Sequence, residues 1–280
     1  MEERVDATVC YRHPDRPTRL ACSECGRPIC IDCSNDAPVG QKCPECARAP
    51  GRHQVIQARR SVGMGAGFER APVSRVILYA TVAVQLLVYF NRPLWNDVAN
   101  ALAHANPALA DGEVWRMVTH ALLHSPASML HILFNMYALY LFGPALERRV
   151  GSLPFGLFYA AAAAGGSAMS YVVGPPEMVA VGASGAIFGL FGAWLYSSWR
   201  VRHTAAGGAQ FNQLMVLLAI NLALPLFIPS VAWQAHVGGL LAGLAMAAAW
   251  SRIEGPDSLR RRALAAVGVL AVSVAVVLVL

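Results

Sequence analysis

Ser184, His131, Asn135 and His236 all stand inside apolar stretches of this 280-residue chain. Ser184 belongs to Gly182-Ala183-Ser184-Gly185, His131 and Asn135 lie four apart in an earlier run, and His236 precedes Gly239-Leu-Leu-Ala-Gly243 in a later one. Polar side chains in hydrophobic segments are costly unless they face one another or water. A hydroxyl becomes a useful nucleophile once an imidazole takes its proton, so Ser184 and His236 suit a Ser–His dyad. Attack on a carbonyl then needs donors for the oxyanion, and the Ser184 backbone N–H with the side chains of His131 and Asn135 would supply them. For His131 and Asn135, interhelical hydrogen bonding is the structural alternative. No carboxylate stands in the helices near His236 to complete a triad. Phe188, four residues after Ser184, is placed instead to pack on the His236 ring.

These groups are useful only if their segments bring them to one place. The chain is 56% hydrophobic and 14% charged, which argues against an ordinary soluble domain. A net charge of +6 raises nucleic acid as a partner, but the basic residues are scattered between apolar spans and suit membrane orientation better. The polar, cysteine-rich first 70 or so residues read as no secretory signal. Seven apolar segments follow, at 73–91, 127–146, 153–173, 180–199, 211–229, 232–250 and 263–280, each near the ~20 residues that cross a bilayer. Arg52, Arg59, Arg60, Arg70, Arg75, Arg148, Arg149, Arg200, Arg202, Arg252, Arg260, Arg261 and Arg262 fall on one side of these spans, and Arg92 and Arg116 on the other. The positive-inside rule then predicts a cytoplasmic N-terminus and an extracellular C-terminus. Helices two, four and six start at the outer face in that topology, and His131, Ser184 and His236 share a depth of roughly 5–10 Å at ~1.5 Å rise per residue. Gly185-Ala-Ile-Phe-Gly189 and Gly239-Leu-Leu-Ala-Gly243 are both GxxxG patterns, which let two helix backbones approach closely.

All seven cysteines lie between Cys10 and Cys46. Cys10/His13, Cys22/Cys25, Cys30/Cys33 and Cys43/Cys46 form four ligand pairs with two-residue gaps, the spacing of two structural Zn2+ sites. An odd cysteine count and a reducing cytoplasm argue against a disulfide framework. Residues 1–50 are therefore expected to form a small double zinc-binding domain, with 51–72 a flexible basic linker.

The zinc pattern resembles B-box-type zinc fingers. That resemblance implies a cross-brace, joining Cys10/His13 with Cys30/Cys33 and Cys22/Cys25 with Cys43/Cys46, although sequential pairing stays open, and it implies a role in binding a cytoplasmic protein partner. The body of the chain resembles the rhomboid intramembrane serine proteases through Glu113-Val-Trp115-Arg116, His120-Ala-Leu-Leu-His124, His131-Ile-Leu-Phe-Asn135, Gly182-Ala-Ser184-Gly185 and Ala235-His236-Val-Gly-Gly239 with Gly243. The resemblance implies an all-α membrane fold, a six-helix bundle over 73–262 plus a seventh C-terminal helix over 263–280. It implies Ser184 as nucleophile, His236 as base and His131, Asn135 and the Ser184 amide as oxyanion hole. Trp115 and Arg116 would lie in a membrane-embedded loop that Arg116 stabilises. Phe188 stands where the family often has Tyr, and keeps the stacking while losing a hydroxyl. The implied substrates are single-span membrane proteins in the lipid bilayer. The alternative is an inactive member that binds client helices, against which the presence of both Ser184 and His236 argues. His120 and His124, read as exposed loop histidines, are expected to support the first loop. His104 and His203 are given no role.

Overall fold

Hydrocarbon offers no partner to a backbone amide, so an apolar run of membrane length has to close its hydrogen bonds within itself as a helix. A computed structural model of the protein describes residues 8–37, 40–48, 68–228 and 231–280. The chain divides into two compact units, Met1–Ser61 and Val62–Leu280. In the second unit every apolar segment is helical: α1 (Pro72–Tyr89), α2 (Met129–Val150), α3 (Ser152–Val173), α4 (Ser184–Arg200), α5 (Ala205–Ala223), α6 (Trp233–Trp250) and α7 (Ser258–Val279). Shorter helices, Arg92–Leu102, Asn106–Ala110 and Arg116–Thr119, occupy the connection between α1 and α2.

Five helices, α1, α2, α3, α5 with its continuation to Leu226, and α7, are long and apolar enough to cross a membrane. The two outside that set are α4 and α6, which carry Ser184 and His236. The 17 residues of α4 reach about 26 Å, short of a hydrocarbon core of about 30 Å. Boundaries shift from expectation for local reasons. Helix α5 starts at Ala205 rather than 211, because Thr204 Oγ1 accepts the Gly207 N–H at 3.1 Å and caps it. The last residue of that expected span, 229, lies outside the described residues, as does most of the 51–72 linker.

Helix α6 packs mainly against α4 and α3, and α7 lies along α3. The α4–α6 contact is backbone on backbone. A Cβ built on Gly239 would lie 1.9 Å from the Gly185 carbonyl oxygen, and one on Gly243 2.1 Å from that of Gly189. Both GxxxG patterns therefore face each other.

Helix α2 runs on to Val150, past the expected end at 146, and so includes Glu147, which is 1% exposed. Its carboxylate accepts the Val73 N–H at 2.9 Å, the Ser74 N–H at 2.8 Å and the Ser152 hydroxyl at 2.7 Å. Ala71, at the N-cap of α1, has no side chain that could do this. Glu147 thus caps a neighbouring helix whose first N–H groups have no intrahelical acceptor, at the positive end of its dipole. Glu147→Gln puts an amide NH2 where an acceptor is needed. It is expected to destabilise the bundle by about 1–3 kcal/mol, read as a lower thermal midpoint in detergent, with Glu147→Asp intermediate.

In the first unit, Val9–Cys10 pairs with His13–Pro17 and Asn35–Asp36 with Gln41–Lys42, both antiparallel. A short helix, Pro44–Arg48, follows. The buried residues there are mainly Ile29 and cysteines, too little to hold a fold without another source of stability.

Candidate active site

Ser184 is the first residue of α4, so its N–H has no intrahelical acceptor and sits at the positive end of the helix dipole. Gly182, two residues earlier, has φ +133°, a conformation that side chains rarely adopt. A Cβ at Gly182 would also lie 2.7 Å from His131 Nε2. The His131 ring therefore covers the backbone that leads into Ser184. Asn135, one turn along α2 and 6% exposed, donates from Nδ2 to the His131 carbonyl at 2.9 Å. A carboxamide carries two N–H donors, so this bond uses only one. Gly182→Ala meets both obstacles at once. It should lower activity by about 10²-fold through displacement of the loop and also lower the thermal midpoint, since strain and overlap both cost stability; paired kinetics and melting would read the two effects.

His236 lies about one turn into α6 and is 5% exposed. Its ring stacks on Phe188, with centroids 4.1 Å apart and planes 9° from parallel. Among the described residues His236 Nδ1 has no hydrogen-bond partner, in keeping with the missing carboxylate. Among the described residues Ser184 and His236 are not joined by a hydrogen bond. What the fold brings together are the turns that carry them, through the contact of Gly185 with Gly239 and the Phe188–His236 stack.

The loop histidines are buried, which corrects their reading as exposed: His120 is 4% and His124 0% exposed. The His120 carbonyl accepts the Gly182 N–H at 3.1 Å, and its Nδ1 lies 2.8 Å from the Arg116 carbonyl. His124 Nε2 accepts the Ala183 N–H at 3.4 Å, and its ring centroid is 5.0 Å from that of His131. Both therefore hold the segment leading into Ser184. Trp115 and Arg116 stand in the connection between α1 and α2. Arg116 binds Glu113 at 2.6 Å and donates to the carbonyls of Ala103, at 3.0 Å, and Asn100. Trp115 is half exposed and donates to the Ala101 carbonyl at 3.2 Å.

His104 carried no signal in the sequence. It is 1% exposed, its Nδ1 lies 2.6 Å from Ser167 Oγ, and its backbone pairs with Ala180. With His120, Ser167, Ser170 and Ser184 it lines a chamber of about 20 Å³, room for one water. Among the described residues His104 Nε2 and Ser170 Oγ have no partner, which leaves them able to bind one. His203 is exposed between α4 and α5.

In the first unit the ligand atoms gather in two groups, Cys10/His13/Cys30/Cys33 and Cys22/Cys25/Cys43/Cys46, each within 4.8 Å. The grouping is the one that a cross-brace would use and not the sequential one. All seven cysteines are free. His13 Nδ1 lies 3.8, 3.3 and 3.4 Å from the sulfurs of Cys10, Cys30 and Cys33, and the Cys25 and Cys43 sulfurs are 3.8 Å apart. Ligands around one tetrahedral zinc are spaced by about 3.5–3.8 Å, so both groups fit such an ion. Burial would raise the Cys10 and Cys22 thiols, but surrounding N–H donors bring each down to about 6. The Arg27 side chain lowers Cys25. Burial holds Cys33 up at about 11 and the neighbouring Cys43 holds Cys46 up at about 12, so only part of each group stands ready as the thiolate that binds metal.

A rhomboid domain model matches residues 111–253. YdcA of Bacillus subtilis (strain 168) is 37% identical over 163 residues, 56% of this chain and 79% of that protein. The rhomboid protease GluP of the same strain is 36% identical over 177 residues, 61% of this chain and 34% of its own length. The rhomboid protease GlpG of Haemophilus influenzae is 31% identical over 167 residues, 58% of this chain and 84% of that protein.

Proposed function

The chain belongs to the rhomboid family, and from that premise we propose that it is an intramembrane serine endopeptidase acting through Ser184 and His236. One observation carries the reading. A buried imidazole with no carboxylate partner lies flat on Phe188, beside the helix turn that begins with Ser184. Packing alone gives no reason to bury an imidazole there. Proteases among the relatives, GluP and GlpG, support the same reading.

In this mechanism His236 takes the Ser184 proton as Oγ attacks the peptide carbonyl, then passes it to the departing amine. The oxyanion is received by the Ser184 N–H, His131 and Asn135. Water, for which the chamber beside Ser184 has room, then releases the acyl group and restores the serine. The substrates are single-span membrane proteins, cut where their helix unwinds enough to offer a peptide bond.

The five membrane-capable helices make this a multi-pass membrane protein. With α4 and α6 it forms the six-helix core over 73–262 and a seventh helix, the N-terminus in the cytoplasm and the C-terminus outside, as the arginine distribution favours. Cys10, His13, Cys30 and Cys33 would hold one Zn2+, and Cys22, Cys25, Cys43 and Cys46 a second, in a B-box-type module that meets a cytoplasmic protein partner. Zinc there supplies folding energy. The test is cleavage of a single-span reporter by the purified protein in liposomes, with Ser184→Ala beside it. Cleavage that survives the substitution overturns the mechanism.

A further inference from the structure

The first unit contains a cation that the ligand pattern does not account for. Arg27 follows the Cys22-x-x-Cys25 pair, after Gly26 turns the chain with φ +73°. Its Nε lies 3.3 Å from Cys25 Sγ and its Nη2 3.7 Å from Cys43 Sγ, so one guanidinium reaches sulfurs from both pairs of the four-cysteine group. Its Cζ stands 4.6 Å above the centre of the Tyr11 ring, and its Nη2 lies 3.6 Å from Glu45 Oε2. Glu45 sits between Cys43 and Cys46, and the Tyr11 hydroxyl donates to it. Tyr11 in turn lies between Cys10 and His13, two ligands of the other group.

Four thiolates around one divalent ion leave a net charge of about −2, against about −1 for three thiolates and a neutral imidazole. Glu45 adds a further negative charge beside the four-cysteine group. A planar guanidinium with several fixed donors relieves such a site while orienting its sulfurs.

We propose that Arg27 is a positioning residue for a zinc ion at Cys22/Cys25/Cys43/Cys46, held in place by Tyr11 and Glu45. The inference rests on the zinc reading above, and the test separates the two. Full-length protein in detergent, stripped of metal, is titrated with Co2+. Uptake is followed by the thiolate-to-cobalt charge-transfer band and by the visible bands, which lie at longer wavelength for an all-sulfur site than for one with three sulfurs and a nitrogen. Competition with Zn2+ then gives the zinc affinity of each site.

Wild type is expected to bind two ions with both spectral types. Arg27→Met should weaken the all-sulfur site about 10–100-fold and leave the Cys10/His13/Cys30/Cys33 site unchanged, so that the intact second spectrum reports a folded unit. Arg27→Lys, keeping the charge but not the fork, should recover part of the loss. Tyr11→Leu, which removes the platform beneath Arg27, should weaken the same site less. Unaltered affinity of the all-sulfur site in Arg27→Met, or equal weakening of both sites, overturns the proposal. A wild type that takes up no tetrahedral cobalt overturns the zinc reading itself.

Discussion

Ser184→Ala is expected to reduce reporter cleavage by at least about 10⁴-fold, and His236→Ala to do the same. In the proposed mechanism the two side chains act on one proton, so their losses should not add: the double variant should be no slower than either single one. Thermal midpoints stay near wild type for Ser184→Ala, because a half-buried hydroxyl at the first position of a helix contributes little to packing. Asn135→Ala differs in kind. It would remove one proposed oxyanion donor and should cost about 10²–10³-fold, leaving a measurable rate where Ser184→Ala should leave none. The assay is initial-rate cleavage in liposomes with the fold checked by circular dichroism. Additive losses in the double variant would mean that Ser184 and His236 do not work as a pair.

Gly239→Val has the second largest expected effect, and it acts through geometry alone. Its Cβ would fall 1.9 Å from the Gly185 carbonyl oxygen, so α4 and α6 have to part by about 1 Å or more. Overpacking of this kind costs about 1–3 kcal/mol, and a shift of that size between the proposed nucleophile and base should cost about 10²-fold in rate. Both the thermal midpoint and cleavage should therefore fall together, in contrast to Ser184→Ala. Gly268→Ala is the matched control, since a Cβ there meets nothing within 4 Å. Full activity in Gly239→Val would show that the α4–α6 approach is not what sets the site.

Hydropathy made the helices legible because each one closes its own hydrogen bonds, and the two GxxxG patterns named the faces that meet. Their ends were less legible: Thr204 starts α5 early by a cap, and Glu147 is drawn into α2 by three donors, two of them more than 70 residues away in sequence. The Phe188–His236 stack followed from helical periodicity. His104 did not, because its partner Ser167 is one of three serines in the alanine-rich α3, and no spacing distinguishes it from the others. The histidines before α2 looked exposed because they stand in a polar segment. They are buried because that segment folds onto the Gly182–Ala183 backbone, a contact with no sequence period. The cross-brace needed three-dimensional distances, since either pairing satisfies the same two-residue gaps.

The shortness of α4 has a consequence for water. Its residues from Gly185 to Trp194 are buried among the neighbouring helices, so the missing length of about 4 Å is met inside the bundle and not by the lipid. Because the deficit belongs to the helix that starts with Ser184, the space above it would be walled by protein and open toward the polar surface, where irregular backbone and water are tolerated. A central helix too short to span would then act as the floor of a water-filled well.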